Sequence, residues 1–467
     1  MLHQEIIVAI ATPPGEGAIG VIRLSGAGCI ELLDPFFSAR PLVEAKPRYA
    51  YFGLLTDRDG QPVDEVVLTL YRAPASYTGE DAVEISCHGS PYILSRVVQL
   101  CIDAGARSAR PGEFSQRAFL NGKLDLSQAE AVADLIASQS AAAHRIALGQ
   151  LRGGVSNEIK ELRQKLIDFA SLIELELDFS EEDVEFADRG QLKELVLRIR
   201  ERIKALTTSF KLGNAIKKGI TTVIAGRPNA GKSTLLNALL NEERAIVSNV
   251  PGTTRDTIEE NLVIGGVNFR LIDTAGIREA SDAIEAIGVE RALEKVKSSQ
   301  VLLYVFDVIE TSPEVLQADL DRLYKEDLQL VVVANKMDLN PYTKFDHYFG
   351  EQYGGKWTVS KDRFVPIVAK SRSNLAYLEE TMLAAATGGQ GALEEQAVIL
   401  SNARHYDALR RADEALERVL QGLDTGLSQD FVAMDIRQSL RELGEITGEI
   451  TTDDLLGNIF SNFCIGK

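Results

Sequence analysis

Residues Gly226 to Ser233 read GRPNAGKS, a match to G-x-x-x-x-G-K-[ST], between the apolar run Thr221-Thr222-Val223-Ile224-Ala225 and the helix-like LLNALLN. A strand, a glycine-rich loop and a helix in that order are what the string requires, so this stretch predicts an α/β unit built around a phosphate loop. Glycines at 226 and 231 let the backbone curl until its N–H groups point inward, with the positive end of the next helix behind them. In such a cradle Lys232 reaches the β- and γ-phosphates of a nucleotide and Ser233 holds Mg²⁺ through its hydroxyl. Alone, the string also fits a chance glycine turn. Three later strings in fixed order, GTTRD, DTAG and NKMD, argue against that.

Thr253 and Thr254 follow Pro251-Gly252 in a turn, where a switch-loop threonine, Thr254, completes the Mg²⁺ shell when a γ-phosphate is present. Asp273-Thr274-Ala275-Gly276 ends the apolar run Val267 to Ile272, which puts an acid near the metal and a glycine near the γ-phosphate. A strand-ending Asp-Thr turn is also an ordinary structural feature of α/β proteins. Asn335-Lys336-Met337-Asp338 follows the buried-strand run Leu330 to Ala334. Asp338 can accept two parallel hydrogen bonds from the N–H edge of guanine, which adenine cannot supply, so GTP is expected over ATP. After the strand-like Phe364 to Ile367, Val368-Ala369-Lys370 stands where a Ser-Ala-Lys loop would support the base. Its backbone N–H can serve, but the serine side chain is gone. The expected nucleotide site thus comprises Asn229 to Thr234 (with Ala230, Gly231, Lys232 and Ser233), the switch segment Ser248, Asn249, Val250 to Thr254, the DTAG turn, and Asn335, Lys336, Asp338, Val368, Ala369 and Lys370.

A GTPase domain needs roughly 160 residues, which leaves about 300 of the 467 for further cores. With 45% hydrophobic and 25% charged residues, the composition is that of an ordinary globular protein. No apolar run approaches the ~20 residues of a membrane span. MLHQEIIVAIATPPGEG lacks a basic region and a small-residue cleavage site, and reads as a first strand instead of a signal peptide. Cys29, Cys87, Cys101 and Cys464 lie far apart with no metal-ligand spacing, so a reducing cytoplasm is expected. A net charge of −18 argues against unaided gripping of a long phosphate track. The basic stretch from Arg198 to Lys218 and the acidic one from Glu174 to Asp188 read as solvated helix faces or local patches.

Val155, Ile159, Leu162, Leu166, Phe169, Ile173 and Leu177 recur at steps of three and four, the pattern of a long amphipathic helix with a coiled-coil-like seam. A similar seam returns at Leu409, Leu416, Val419 and Leu423. One all-α domain interrupted by an inserted α/β P-loop GTPase domain accounts for both, with expected seams at Gly213 to Gly219 and Gly388 to Gly391. Before them, short runs at 5–11, 18–24, 66–71 and 82–86, broken by Pro, Gly and Asp, predict an α+β N-terminal domain. The expected division is 1–122, 123–217, 218–387 and 388–467.

ARPGEFSQRAFLNGKLDLSQAEA (Ala109 to Ala131), the nucleotide strings with GTTRD, and the terminal LGEITGEITTDDLLGNIFSNFCIGK (Leu443 to Lys467) together resemble the MnmE (TrmE) family of tRNA-modification GTPases over nearly the whole chain. The resemblance implies work with a flavin-dependent, FAD-carrying partner of the MnmG (GidA) type. The implied product is an aminomethyl or carboxymethylaminomethyl group on the wobble uridine of certain tRNAs, its one-carbon unit drawn from a tetrahydrofolate derivative. It further implies an N-terminal domain that binds the folate and forms a homodimer, and GTPase domains that pair in a K⁺-dependent way.

Residue by residue, the resemblance assigns the folate to Arg23, Glu80, Lys123 and the terminal Lys467. Cationic side chains suit a folate's glutamate tail or polar edge, and a carboxylate suits its pterin; without the resemblance all would read as surface groups. Ser90 stands where the family usually carries a glycine. Cys464 is no prenylation site, since Gly466 is not aliphatic; it reads either as a buried inert thiol or, beside the folate pocket, as a participant in modification. Ordinary switch GTPases place a glutamine after DTAG to orient water, but here Ile277 stands there. The family's water-orienting acid matches Glu285, and Arg278 or Arg255 can supply charge. K⁺ in place of an arginine finger would take Asn229, Ser248, Val250 and Thr253 as ligands. Two other classes of function fit parts of the pattern: a GTP-dependent switch in ribosome or RNA assembly without covalent chemistry, and a folate-binding sensor.

Replacing Asp338 by Asn is expected to move preference from GTP toward xanthosine triphosphate, because an amide complements the changed edge of xanthine. Competition binding with the two nucleotides checks it; full retention of GTP preference would refute the role given to Asp338.

Overall fold

The computed structural model describes residues 5–178, 189–240, 259–273, 296, 299–325, 328–350, 357, 359–387, 398–425, 427–461 and 463–466. The chain divides into two compact units, one of Met1–Ala137, Leu148–Arg200 and Ala408–Lys467, the other of Ser138–Ala147 and Glu201–Asp407.

The first unit opens with strands β1 (Ile7–Ile10), β2 (Gly17–Ser25), β3 (Ala50–Thr56), β4 (Pro62–Tyr71), β5 (Ala82–Gly89) and β6 (Arg107–Ser108), in sheet order β3-β4-β5-β2-β1-β6. Among its helices are α1 (Cys29–Leu33), α2 (Pro91–Ala104), α3 (Glu113–Leu120) and α4 (Leu126–Ala137). All strand pairs are antiparallel except β1 with β6. Period-two alternation sorts the side chains: Ile22, Leu24, Leu68 and Ile85 pack with Val97, Leu100 and Cys101 of α2 in one core. On the other face Ile7 and Ala9 meet Ala109 and Phe114. Ser25 lies opposite Ile7 and Arg23 opposite Ala9, so both belong to that second face. The expected runs at 5–11, 18–24, 66–71 and 82–86 are β1, β2, β4 and β5 with shifted ends. β3 and the two-residue β6 are not among the expected runs, because pairing and not local composition makes them: β3 in an antiparallel hairpin with β4, β6 in parallel with the distant β1.

Helices α5 (Ala141–Leu151), α6 (Gly154–Asp178) and α7 (Arg189–Lys218) precede the second sheet, while α12 (Ala403–Thr425), α13 (Gln429–Thr447) and α14 (Asp453–Ser461) follow it. Val155, Ile159, Leu162, Leu166 and Ile173 of the expected seam are buried, as are Leu409, Leu416 and Val419. The main partner of α6 is α13, a helix the periodicity argument had not separated from the tail. Arg163 of α6 donates through Nε to the Leu440 carbonyl of α13 at 3.2 Å and pairs with Glu449. The basic stretch on α7 is not simply a solvated face: Arg200 holds Asp413 of α12 at 2.7 and 3.1 Å.

In the second unit, β7 (Ile220–Ala225), β8 (Glu259–Ile264), β9 (Val267–Asp273), β10 (Val301–Asp307), β11 (Gln329–Asn335) and β12 (Phe364–Pro366) form a sheet in the order β12-β11-β10-β7-β9-β8. Every pair is parallel except the β8–β9 hairpin, whose turn residues Gly265 and Gly266 both carry positive φ. Helices α8 (Lys232–Leu240), α9 (Pro313–Arg322), α10 (Asp346–Phe349) and α11 (Leu375–Thr387) complete it. β10 is buried along its whole length, as a parallel strand with helices on both faces must be. Leu235, Leu239, Leu375 and Met382 pack with one face of the sheet and Leu316 and Leu320 with the other. The expected class is therefore the observed one: an α+β N-terminal part, and helices interrupted by a parallel α/β P-loop domain.

Around the expected break at Gly213 to Gly219 the structure shows the end of α7. Gly213 lies inside α7, and the helix ends at Lys218, just before Gly219 with φ 73°. Gly213 is needed for close approach instead: a Cβ there would sit 2.2 Å from the Leu400 carbonyl, where the chain returns and Leu400 N–H donates to Ser209 Oγ at 3.0 Å. Gly388 to Gly391 lies outside the described residues. A Gly213→Ala variant is expected to lose about 1–3 kcal/mol of stability through overpacking, although alanine favours helix. Chemical denaturation reads this, and a variant as stable as the parent would show that the returning segment yields freely.

Candidate nucleotide-binding site and the N-terminal polar face

The loop between β7 and α8 takes its shape from two glycines. At Gly226 (φ 148°) a Cβ would lie 2.0 Å from the Val305 carbonyl of β10, and at Gly231 (φ 95°) 2.2 Å from Asn335 Nδ2. Asn229 adopts the left-handed conformation at φ 60°, which asparagine tolerates better than most residues, and is exposed. Lys232 is buried, with Nζ donating to the carbonyls of Gly226 and Arg227 at 2.8 Å each. Ser233 and Thr234 are exposed on the first turn of α8, while Ala230 is buried.

At the ends of β10, β11 and β12 three segments meet. Buried Asn335 donates from Nδ2 to the Ala230 carbonyl at 2.8 Å and accepts at Oδ1 from the Ala369 N–H at 3.0 Å. The phosphate loop, NKMD and the Val368-Ala369-Lys370 turn are thus joined by one side chain. The Met337 N–H donates to the Ile367 carbonyl at 3.2 Å, and Asp338 is left exposed. Ligand sites at the carboxyl ends of parallel strands are the rule for open α/β sheets.

Lys336, at φ 64°, donates to Asp307 Oδ2 at 2.6 Å, and the Ile309 N–H donates to Asp307 Oδ1 at 2.8 Å. Burial pushes the Asp307 carboxyl up, but the hydrogen bonds and charge of Lys336 outweigh it and hold it below the usual range. The hydrogen bond to Asp307 in turn raises Lys336. Asp307 is not among the expected site residues, although an acid ending the wholly apolar VLLYVF is a visible signal. Of the other expected residues, Asp273 ends β9, while Ser248 to Thr254, Thr274 to Gly276 and Glu285 lie outside the described residues.

The second face of the N-terminal sheet gathers a different set. Glu80 accepts from Ser25 Oγ at 2.7 Å and from Arg117 Nη1 at 3.0 and 3.3 Å. Arg117 is 1% exposed and also donates to Glu113 at 3.2 Å and the Glu5 carbonyl at 3.0 Å. Burial raises the Glu113 carboxyl, yet Arg107, the Arg110 N–H and Arg117 bring it down to about 2. Arg23 donates to Glu84 Oε1 at 2.6 and 3.0 Å and lies over the rings of Tyr77 and Phe114, 5.4 and 5.9 Å from their centroids. Lys123 is exposed, its Nζ donating to the Pro74 carbonyl at 3.0 Å, while its neighbour Asn121 bonds the Thr78 carbonyl at 2.8 Å.

Lys467 lies outside the described residues, but the tail before it is placed. The Gly112 N–H donates to the Cys464 carbonyl at 3.4 Å, and Gly466 (φ 93°) passes so near β1 that a Cβ would sit 2.3 Å from the Ile10 carbonyl. Tail and ARPGEF string therefore meet at the end of the strand facing Arg23. Cys464 is exposed, which overturns the buried-thiol alternative: the tail crosses the surface of that strand end and leaves its side chain outside. The other three cysteines are buried, and burial pushes Cys87 to about 11 and Cys101 to about 12.

Two family models match: the GTP-binding protein TrmE N-terminus over residues 6–123 and the MnmE helical domain over 126–464. The chain is 50% identical over 468 residues to the tRNA modification GTPase MnmE of Cytophaga hutchinsonii, covering 100% of this chain and 98% of the relative. It is also 50% identical over 474 residues to that of Bacteroides fragilis, covering 100% of both. Among solved structures, Aquifex aeolicus Era bound to GDP and aluminium fluoride is 26% identical, covering 42% of this chain and 66% of Era, with a TM-score of 0.27.

Because the Asp307 pKa is lowered, its stabilising share is present above the ordinary aspartate value of about 4 and fades as pH falls below it. Asp307→Asn should accordingly lower the melting temperature at neutral pH, with the gap to the parent closing in acid. A gap that stays constant through that range would remove the charge of Asp307 from the account.

Proposed function

Since the chain belongs to the MnmE family, we propose that it hydrolyses GTP in the service of tRNA modification. The observation that carries this is the junction at Asn335, where one buried amide joins a phosphate loop to two guanine-recognition segments. Lys232, aimed by two loop carbonyls, meets the β- and γ-phosphates, and the first turn of α8 offers them its N–H groups. Asp338, exposed beside the loop, accepts from guanine's N–H edge. Ser233, exposed at the mouth of the loop, and Thr254 would hold Mg²⁺, which supplies charge neutralisation between the phosphates. Exposed Asn229, with Ser248, Val250 and Thr253, would hold K⁺, whose charge stands in for an arginine finger. Glu285 orients the attacking water, because Ile277 cannot.

The finer reading is that the chain acts as a homodimer in the cytoplasm with an FAD-carrying partner of the MnmG type, on the wobble uridine of certain tRNAs. Support for the folate site comes from the N-terminal face: Arg23 and Glu80 share it, with the part-exposed ring of Tyr77 beside Arg23 as a flat surface for a pterin. Arg23, Glu80, Lys123 and Lys467 would hold a tetrahydrofolate derivative, the donor of the one-carbon unit. Exposed Cys464 lies on the tail that reaches this face. Among the described residues no helix is long and apolar enough to cross a membrane.

A strain lacking the gene should lose the aminomethyl-type wobble uridines from its tRNA, as read by nucleoside mass spectrometry. The parent chain should restore them and Glu285→Ala should not. The purified parent should turn over GTP faster in K⁺ than in Na⁺. An unchanged nucleoside profile in the deletion strain would favour a GTP switch without covalent chemistry.

A further inference from the structure

The side chain of Arg227, the second residue of the phosphate loop, is tied to a helix on the flank of the sheet. Arg227 donates from Nε to Asp319 Oδ2 at 2.6 Å and from Nη2 to Oδ1 at 3.2 Å, a fork-to-fork pair with a carboxylate on α9. Tyr304, buried in β10, donates its hydroxyl to the same Asp319 Oδ2 at 2.6 Å. Both Asp319 oxygens are engaged, and its side chain is only 15% exposed. Burial raises the Asp319 carboxyl, but the bonds from Arg227 and Tyr304 outweigh this and leave it lowered. The interaction is stronger than an ordinary surface ion pair because it is bidentate and supported by a third, buried group.

What this anchor controls is the backbone of Arg227. Its carbonyl is one of the two that hold Lys232 Nζ, and it also accepts from the Ala230 N–H at 3.4 Å. The flanking residues narrow the choices further. Gly226 has no room for a side chain against β10, and Pro228 biases Arg227 away from helical backbone angles. The tether to Asp319, itself held by Tyr304 of β10, restrains the backbone whose carbonyl receives the Lys232 ammonium.

We propose that Arg227, Asp319 and Tyr304 form a positioning unit that presets the phosphate loop, so that Lys232 is aligned before nucleotide arrives; this rests on the GTP-binding reading above. The unit touches neither phosphate nor base. Its loss costs affinity, because a loop freed to sample other orientations must be ordered again on binding. It leaves the chemical step intact, because the bound loop reaches the same geometry.

The test uses the full chain, fluorescent GDP and steady-state GTP turnover, with Arg227→Gln, Asp319→Asn, the double variant and the milder Tyr304→Phe. Arg227→Gln and Asp319→Asn should each weaken GDP binding and raise KM by about tenfold, the scale of one lost charge-assisted contact. kcat should hold within about twofold. The double variant should be no worse than the poorer single, since the residues act as one. Asp319→Glu should recover part of the affinity. Should Asp319→Asn not fold, Arg227→Gln, on an exposed side chain, and Tyr304→Phe still decide the matter. Affinity lost in Arg227→Gln but unchanged in Asp319→Asn or Tyr304→Phe would mean that Arg227 meets nucleotide directly and would overturn the unit. So would additive losses, or unchanged affinity in all variants. If the parent itself fails to bind fluorescent GDP, the GTP-binding reading falls and not merely its positioning unit.

Discussion

The amide of Asn335 is the interaction on which the nucleotide end of this protein depends. It is buried where three loops leave the sheet, and both of its polar ends are used, one on Ala230 and one on Ala369. A buried amide that lost either partner would leave a backbone group unsatisfied as well, at a cost of about 1–3 kcal/mol. The phosphate cradle and the base-recognition turns are therefore set as one body. Gly231 is part of the same constraint, because any side chain there would occupy the space of Asn335 Nδ2.

Around this junction the sheet acts as a rigid frame. β7, β10 and β11 are buried on both faces and rich in Val, Ile and Leu, so their ends are fixed by packing and carry polar residues where the apolar runs stop. Asp307 and Asn335 stand at such ends, directly paired in register. Asp307 serves Lys336 and Asn335 serves the loops. Arg227, anchored outward to Asp319, extends the same principle to the far side of the phosphate loop.

The N-terminal face is organised differently, by a charge network and not by one amide. Arg117, almost wholly buried, joins Glu80, Glu113 and the Glu5 carbonyl. A guanidinium so placed needs its carboxylates, since an unpaired buried charge is strongly destabilising. The network holds Glu80 facing Ser25, and a second pair, Arg23 with Glu84, leaves the guanidinium lying over Tyr77 and Phe114. Any anionic or polar-edged ligand on this face meets groups already ordered by their neighbours.

Residue types and spacing alone determined where the phosphate loop lies, that the runs of β1, β2, β4, β5, β7, β9 and β11 are strands, and that the seams at Val155 to Ile173 and Leu409 to Val419 are helical, because glycine freedom, β-branching and hydrophobic period act over a few residues. The resemblance of the ARPGEF string and the FCIGK tail added the family. Tertiary structure alone decided that Asn335 bridges three loops, that Asp307 holds Lys336 across 29 positions, and that Arg117 takes Glu80 across 37. It also decided that Gly213 serves a close approach inside a helix, and that Cys464 lies outside instead of in a core. The reason is common to all five: burial and long-range pairing depend on strand register and on which backbone passes at van der Waals distance, and neither quantity is a property of any local stretch of chain.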